Sequence, residues 1–118
     1  MVVHMVNRVV LACADLMTAS RFAAPGVEVV RCPSNDRVRA ALGFDGDDGT
    51  VLPVAMVLID LPAFPHLAKD LRNGGFSGRI VGFAPHVHED LLDQAREWCD
   101  EALPRGSAIK RFAALVAG

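Results

Sequence analysis

The sequence lacks three features, each of which would point to a particular class of protein. It has no apolar run near the roughly 18 residues that a membrane-spanning helix requires, so we expect no membrane partner. It has no basic excess, since 12 lysines and arginines stand against 14 acidic residues and the net charge is -2. This slight acidity disfavours a nucleic-acid partner. The N-terminal segment has neither a basic start nor a cleavage site, so no signal peptide is predicted.

Cysteine and lysine are also scarce. The three cysteines, Cys13, Cys32 and Cys99, are odd in number and show no C-x-x-C spacing. We therefore interpret them as buried thiols of a protein in a reducing compartment, and we predict a cytoplasmic location. Ten arginines stand against only two lysines, and alanine is abundant. This bias indicates a GC-rich bacterial genome.

What is present is enough apolar sequence for one core. The chain has 118 residues, of which 52% are apolar and 22% charged. One core accounts for roughly 100 to 200 residues, so residues 1–118 are predicted to form a single domain. The apolar content excludes a disordered chain, and a domain of this size needs neither a disulfide nor a metal to be stable.

Apolar runs of strand length alternate with stretches of helical period along the chain. The predicted strands cover residues 8–14, 27–31, 54–60, 79–83 and 100–103. Helices are predicted after the capping residues Asp15, Ser34 and Ser107, and over residues 64–71 and 89–98. This alternation predicts an α/β fold, a flavodoxin-like three-layer sandwich with helices on both faces of a five-stranded parallel sheet. Right-handed crossovers favour the strand order 2-1-3-4-5.

The periodicity also predicts which side chains face the core. In the first helix Leu16 is expected to face inward with Ala19 and Ala23, and in the last helix Ala113 is expected inward with Phe112. The segment 44–53 (FDGDDGTVLP) is predicted to be a solvated loop.

In such a fold, ligands bind beyond the carboxyl ends of the strands, where the strand order reverses. This rule selects residues 13–15, 60–62, 84–88 and 104–106. The third of these segments contains an H-x-H motif, His86 and His88. Alternate residues of an extended segment point to opposite sides, so a metal site would need a turn and further ligands. Exposed loop histidines are the other interpretation, and we predict no metal site.

The sequence resembles the receiver domain of bacterial two-component response regulators over residues 8–116. The resemblance is strongest in VLIDLP at residues 57–62 and in CDEALPRG at residues 99–106. It implies that Asp60 occupies the position of the phosphate-accepting aspartate and that Arg105 occupies the position of a lysine after the fifth strand.

Three other positions depart from the receiver pattern. The acidic pair that holds magnesium in receivers is replaced by Cys13 and Ala14, with only Asp15 just beyond. A hydroxyl residue at the end of the fourth strand is replaced by Phe83. We therefore predict a pocket of Cys13, Asp15, Phe83 and Arg105 around Asp60.

These departures have chemical consequences. Phosphoryl transfer to a carboxylate needs a metal to neutralise the charge of the transferring oxygens. Only Asp15 and Asp60 remain as carboxylate ligands, so we predict no cofactor, apart from weak Mg²⁺ binding. The planar guanidinium of Arg105 cannot place its charge where a lysine ammonium would lie. The alternative to phosphate acceptance is that Asp60 has a structural role, as the ion-pair partner of Arg105.

The favoured function is a stand-alone, degenerate receiver-like domain, or pseudo-receiver, that acts in signalling through protein–protein interaction without ordinary phosphotransfer. Receivers commonly signal through the surface of the fourth helix, fifth strand and fifth helix, here residues 89–116, where Trp98 and Arg105 are the candidate contacts. The expected partner is a protein of unknown identity, and a second copy of this chain, forming a homodimer, is one such partner.

Two alternatives stay open. One is a small ligand- or metal-binding protein or enzyme with its site at the strand ends. The other is a receiver phosphorylated on Asp60 through a variant pocket.

Overall fold

The structure is a computed structural model that describes residues 7–44 and 53–118. Within these residues the strands are β1 (Asn7–Ala12), β2 (Val27–Cys32), β3 (Met56–Asp60), β4 (Ile80–Ala84) and β5 (Glu101–Pro104). The helices are α1 (Leu16–Ala19), α2 (Asn35–Ala41), α3 (Leu67–Asn73), α4 (Glu89–Ala95), α5 (Arg105–Lys110) and α6 (Phe112–Ala117). The predicted loop at 44–53 lies almost entirely outside the described residues.

The five strands form one parallel sheet in the order β2-β1-β3-β4-β5, which confirms the predicted topology. The chain moves from β1 outward to β2 and then returns past β1 to β3, so the direction of winding reverses between β1 and β3. Both strands at this reversal are almost wholly buried, as expected for a parallel sheet covered on both sides. The reversal leaves a crevice at the edge where the carboxyl ends of the strands meet, here called the carboxyl edge.

Alternation along the strands divides the core into two layers. Val57 and Ile59 of β3 pack with α2, α3 and α4, whereas Met56 and Leu58 pack with α1, α5 and α6. The predicted helices on both faces are therefore confirmed. None of the described helices is long and apolar enough to cross a membrane.

The first predicted helix is much shorter in the structure than in the sequence pattern. It ends at Ala19 because the chain turns there and carries the ring of Phe22 into the core. The prediction that Leu16 faces inward is wrong, since 65% of that residue is exposed.

The last helix also differs from its prediction. It begins at Arg105, directly after Pro104, and not after a cap at Ser107. A break at Arg111 divides it into α5 and α6. The break rotates the second part, so that Leu115 lies in the core and Ala113, which was expected to face inward, is exposed. Arg105 directly follows β5, so it lies at the carboxyl edge, as predicted for residues 104–106, and it is the first residue of α5.

One close contact explains why a glycine stands in the middle of β4. A Cβ atom on Gly82 would lie 2.8 Å from both terminal methyl carbons of Leu61, which is fully buried. The absence of a side chain at Gly82 lets Leu61 lie flat on β4. Leu61 follows Asp60 directly, so this contact helps to fix the chain where it leaves β3.

Candidate functional site

Asp60 ends β3 in a backbone setting that holds it firmly. The carbonyl oxygen of Asp60 accepts hydrogen bonds from the N–H groups of Ala63 (3.2 Å) and Phe64 (2.9 Å). The N–H group of Leu61 donates to the carbonyl oxygen of Phe83 on β4, at 2.9 Å. The Asp60 side chain is half-buried at the carboxyl edge, on the face covered by α1 and α5.

Within the described residues, the thiol of Cys13 is the side chain that hydrogen-bonds to the Asp60 carboxylate. Cys13 Sγ lies 3.9 Å from Asp60 Oδ2 and 3.4 Å from the carbonyl oxygen of Asp15, so both oxygens are acceptors within reach of its single S–H group. Burial raises the pKa of the Cys13 thiol, and the charges of Asp60 and Asp15 raise it further against a backbone hydrogen bond that lowers it. Cys13 is therefore a neutral donor here and not a thiolate ligand or nucleophile. All three cysteines are buried, as the sequence predicted.

Asp15 caps α1 and has both carboxylate oxygens engaged there. Its Oδ2 accepts from the Thr18 hydroxyl at 2.7 Å, and its Oδ1 accepts from the Met17 N–H group at 3.1 Å. These two hydrogen bonds, the Thr18 bond first, lower the pKa of Asp15. Asp15 is thus an ionised helix cap beside Asp60. Sequence reasoning missed Thr18, although its position three residues after a capping aspartate was a usable signal.

Arg105 is an exposed residue at the first position of α5. The structural alternative of an Asp60–Arg105 ion pair is wrong, because neither Asp60 nor Asp15 forms a salt bridge with it in the described structure. An exposed guanidinium gains little by giving up its hydration for such a pair. Its charge nevertheless acts at longer range, and it lowers the pKa of both carboxyl groups. Cys13, Asp15, Asp60 and Arg105 are called the Asp60 site below.

Burial raises the pKa of Asp60 above its ordinary value. The charge of Arg105 and the hydrogen bond from Cys13 oppose that effect, while the negative charge of Asp15 adds to it. Ionisation of Asp60 therefore lowers the stability of the folded state. Such shifted pKa values are common at functional sites.

We expect the Asp60→Asn variant to be more stable than the wild type at neutral pH. A carboxyl group with a raised pKa in the folded state stabilises the fold only when it is protonated, so its ionisation weakens folding as the pH rises through that pKa. The gain in melting temperature should therefore shrink as the pH falls through the raised pKa of Asp60, and it should be gone at about pH 4, near the carboxyl's ordinary pKa. Thermal melts between neutral and acidic pH measure this.

The Asp15→Asn variant is the matched control, because the pKa of Asp15 is shifted in the opposite direction. It should lower the melting temperature at neutral pH and have no effect in acid, where both carboxyl groups are protonated. An Asp60→Asn variant that is less stable than the wild type at neutral pH would contradict our account of the site.

Phe83 borders the site but does not line it. It is paired in register with Asp60, yet it is fully buried, and its ring centroid lies 5.0 Å from that of Phe22. Phe22 in turn lies 5.6 Å from Phe112 of α6. Our expectation that Phe83 belongs to the pocket is corrected, because its ring is drawn into this aromatic cluster under α1 and α6.

The two histidines of the H-x-H motif do not converge. Both are exposed in the connection between β4 and α4, and they line separate clefts, His86 beside Arg105 and His88 beside Asp90. Within residues 7–44 and 53–118, no three histidine, cysteine or acidic side chains are grouped to hold a metal ion.

Trp98 and Arg105, the two expected contacts of an interaction surface, line different clefts. Trp98 is half-buried against the core layer of α2, α3 and α4, in continuation of the apolar stripe of Leu91 and Ala95. It lines a groove of about 220 Å³ between α3 and α4, where Lys69 Nζ lies 5.8 Å from its ring centroid. Arg105 stands instead at the carboxyl edge.

The carboxyl edge also carries apolar side chains that sequence reasoning missed. Among the described residues the large apolar side chains that remain exposed are Leu16 (65%), Met17 (81%) and Val87 (71%). Leu16 and Met17 begin α1 shortly after the end of β1, and Val87 follows the end of β4, so all three lie in segments that start from this edge. No pattern could have identified them, because Leu16 fits an inward helical position.

Comparison with known proteins gives the fold. No protein-family model matches the sequence, and no curated protein matches it at a significant level. Among solved structures, the receiver domain of the Francisella response regulator 1452 is similar, with a TM-score of 0.64. The two share 16% sequence identity over 94% of this chain and 97% of that one. The chain therefore has the fold of a response-regulator receiver domain, as the sequence resemblance implied.

Proposed function

We propose that this chain is a pseudo-receiver: it keeps the receiver fold, does not undergo ordinary phosphotransfer, and signals by binding a protein partner at the carboxyl edge. The observation that carries the proposal is the contact of a neutral, buried thiol with Asp60. Cys13 Sγ lies 3.9 Å from the carboxylate, at the place where the receiver pattern has an acidic residue.

The electrostatics of the Asp60 site support the absence of phosphotransfer. A metal that neutralises the transferring oxygens needs hard, anionic oxygen ligands. The protonated Cys13 thiol supplies none, and both oxygens of Asp15 already accept hydrogen bonds within α1. Asp60 alone is therefore a poor magnesium site.

The apolar side chains at the same edge support a protein partner. Leu16, Met17 and Val87 are largely exposed, although large apolar side chains are costly to leave in water. Exposed apolar groups that are rimmed by charged residues mark interaction sites. Here Asp15 and Arg105 are the charged neighbours in the chain segments at this edge.

The test of phosphotransfer is to incubate the protein with a small-molecule phosphodonor and Mg²⁺ and to measure its intact mass. We expect no gain of a phosphoryl group, while an active receiver treated in parallel gains one. A stoichiometric gain that disappears in the Asp60→Asn variant would overturn this part of the proposal.

The interaction is tested in the same material by a photo-reactive amino acid at position 17, irradiated in extract of the source cells. We expect a discrete cross-linked product that is lost with Leu16→Ser. The matched control carries the probe at Ala114, an exposed residue of α6. Equal cross-linking from both positions would contradict a binding site at the carboxyl edge.

A further inference from the structure

A cleft of about 550 Å³ opens beside the Asp60 site, between the β4–α4 connection and α5. Four of the side chains that line it carry hydrogen-bond donors, and neither aspartate nor glutamate is among its lining residues. The donors are His86, Arg105, Ser107 and Lys110. The remaining walls include the rings of Pro85 and Pro104.

Arg105 and Lys110 are the two permanently charged side chains of this cleft, and neither has a salt-bridge partner in the part of the chain that the structure describes. Both are exposed. By contrast, Arg8, Arg79 and Arg111 are each paired with a glutamate. Positive charge in the cleft is therefore available to a ligand.

We propose that this cleft binds the phosphate group of a small phosphate monoester. A guanidinium matches two oxygens of a phosphate at once, and a lysine ammonium adds a point charge. The Ser107 hydroxyl and the His86 ring provide further donors for the third oxygen. A carboxylate has only two oxygens and uses fewer of these donors.

The size and the walls of the cleft argue for an organic group attached to the phosphate. A volume of about 550 Å³ falls within the range of small-molecule sites and exceeds what a phosphate ion fills. Pro85 and Pro104 offer apolar surface beside the cations. A ring or chain carried by the ester would cover that surface and gain affinity from its burial.

Binding in the cleft is separate from covalent phosphorylation of Asp60. Asp60 and Cys13 do not line the cleft, and the ligand binds reversibly with no bond formed or broken. Binding should therefore persist in the Asp60→Asn variant. The cleft shares only Arg105 with the Asp60 site, so its test can fail while the proposed pseudo-receiver function stands.

The test is an NMR titration of the ¹⁵N-labelled protein with phenyl phosphate, inorganic phosphate and benzoate. We expect saturable shifts of the amide signals of His86, Gly106 and Ser107, with phenyl phosphate the tightest ligand and benzoate the weakest. Benzoate that binds as tightly as phenyl phosphate would overturn the assignment to phosphate. Shifts that do not saturate would overturn the site itself.

Substitutions inside and outside the cleft test which residues form the binding site. Arg105→Ala and Lys110→Ala should each weaken phenyl phosphate binding about tenfold, because each removes one charge-assisted interaction. Both residues are exposed, so neither change is expected to disturb the fold. Lys69→Ala removes a lysine charge from the α3–α4 groove and should leave the affinity unchanged. An affinity that neither Arg105→Ala nor Lys110→Ala changes would refute the proposal.

Discussion

Replacing Arg72 with alanine is expected to lower the free energy of unfolding by about 2–4 kcal/mol. The Arg72 guanidinium joins the connections that precede β4 and β5. It donates to the carbonyl oxygens of Trp98 (3.1 Å), Phe76 (3.1 Å) and Gly78 (2.7 Å). It also forms a salt bridge of 3.1 Å with Asp100, at the end of the sheet opposite the Asp60 site.

The size of the effect follows from the groups that lose their partner. Hydrogen bonds to a charged donor contribute roughly 1.5–3 kcal/mol each when they are buried. The Arg72 side chain is 22% exposed, so water would replace part of what is lost, and the sum must be discounted. Asp100 would keep its hydrogen bond from the N–H group of Ile80 at 2.8 Å. A fall in melting temperature on the order of 10 °C corresponds to this loss.

Two further variants separate geometry from charge. Arg72→Lys keeps the charge but cannot reach three carbonyl oxygens and a carboxylate together, so it should recover less than half of the loss. Arg21→Ala should change stability by no more than about 0.5 kcal/mol, because Arg21 is exposed and its side chain bonds to no described residue. If Arg72→Lys were as stable as the wild type, the charge at position 72 alone would account for the stabilisation, and the hydrogen-bond geometry of Arg72 would not contribute.

The sheet could be predicted from the sequence because burial on both faces leaves a strong signal there. Runs such as residues 54–59 are continuously apolar only where helices cover both sides of a strand. Short crossovers then restrict the strand order, and the switch point locates the carboxyl edge. That reasoning placed Asp60, Cys13 and Asp15 together, and the structure shows them together.

The directions of side chains at that edge could not be predicted in the same way. Whether Leu16 faces the core depends on where α1 ends, and that is decided by Phe22, a residue beyond the helix. The sequence does not determine on which side of α4 the Trp98 ring packs. The ring lies on the α3 side because it packs against the core layer that contains α3. Each outcome depends on tertiary contacts that local spacing does not encode.

Replacing Cys13 with aspartate should produce a protein that depends on magnesium for its stability. The new carboxylate would take the place of a fully buried thiol that lies 3.9 Å from Asp60 Oδ2. Like charges so close together, in a site that already raises the pKa of Asp60, disfavour folding. Without a divalent ion we expect a loss of about 3–5 kcal/mol, the usual cost of an uncompensated buried charge.

Mg²⁺ should restore much of that loss, since the variant would have two adjacent carboxylates, at positions 13 and 60, as hard oxygen ligands. Binding to the folded state alone stabilises it by about 2.7 kcal/mol when the free ion is at 100 times its dissociation constant. Melting temperature measured against Mg²⁺ concentration reports this directly. If the variant does not fold without the ion, recovery of the folded state on adding Mg²⁺ gives the same answer.

Cys13→Asn is the matched control, because it has nearly the same shape as Cys13→Asp but carries no charge. It should show no response to Mg²⁺, and the wild type should show little. A Cys13→Asp variant that ignores Mg²⁺ would mean that the Asp60 site cannot place two carboxylates around one ion. Weak magnesium binding at the Asp60 site would then follow from the geometry of the β1–α1 connection, where the Arg31 guanidinium donates to the carbonyl oxygens of Cys13 and Ala14. A magnesium-dependent variant would instead show that the thiol alone separates this site from a metal-binding receiver pocket.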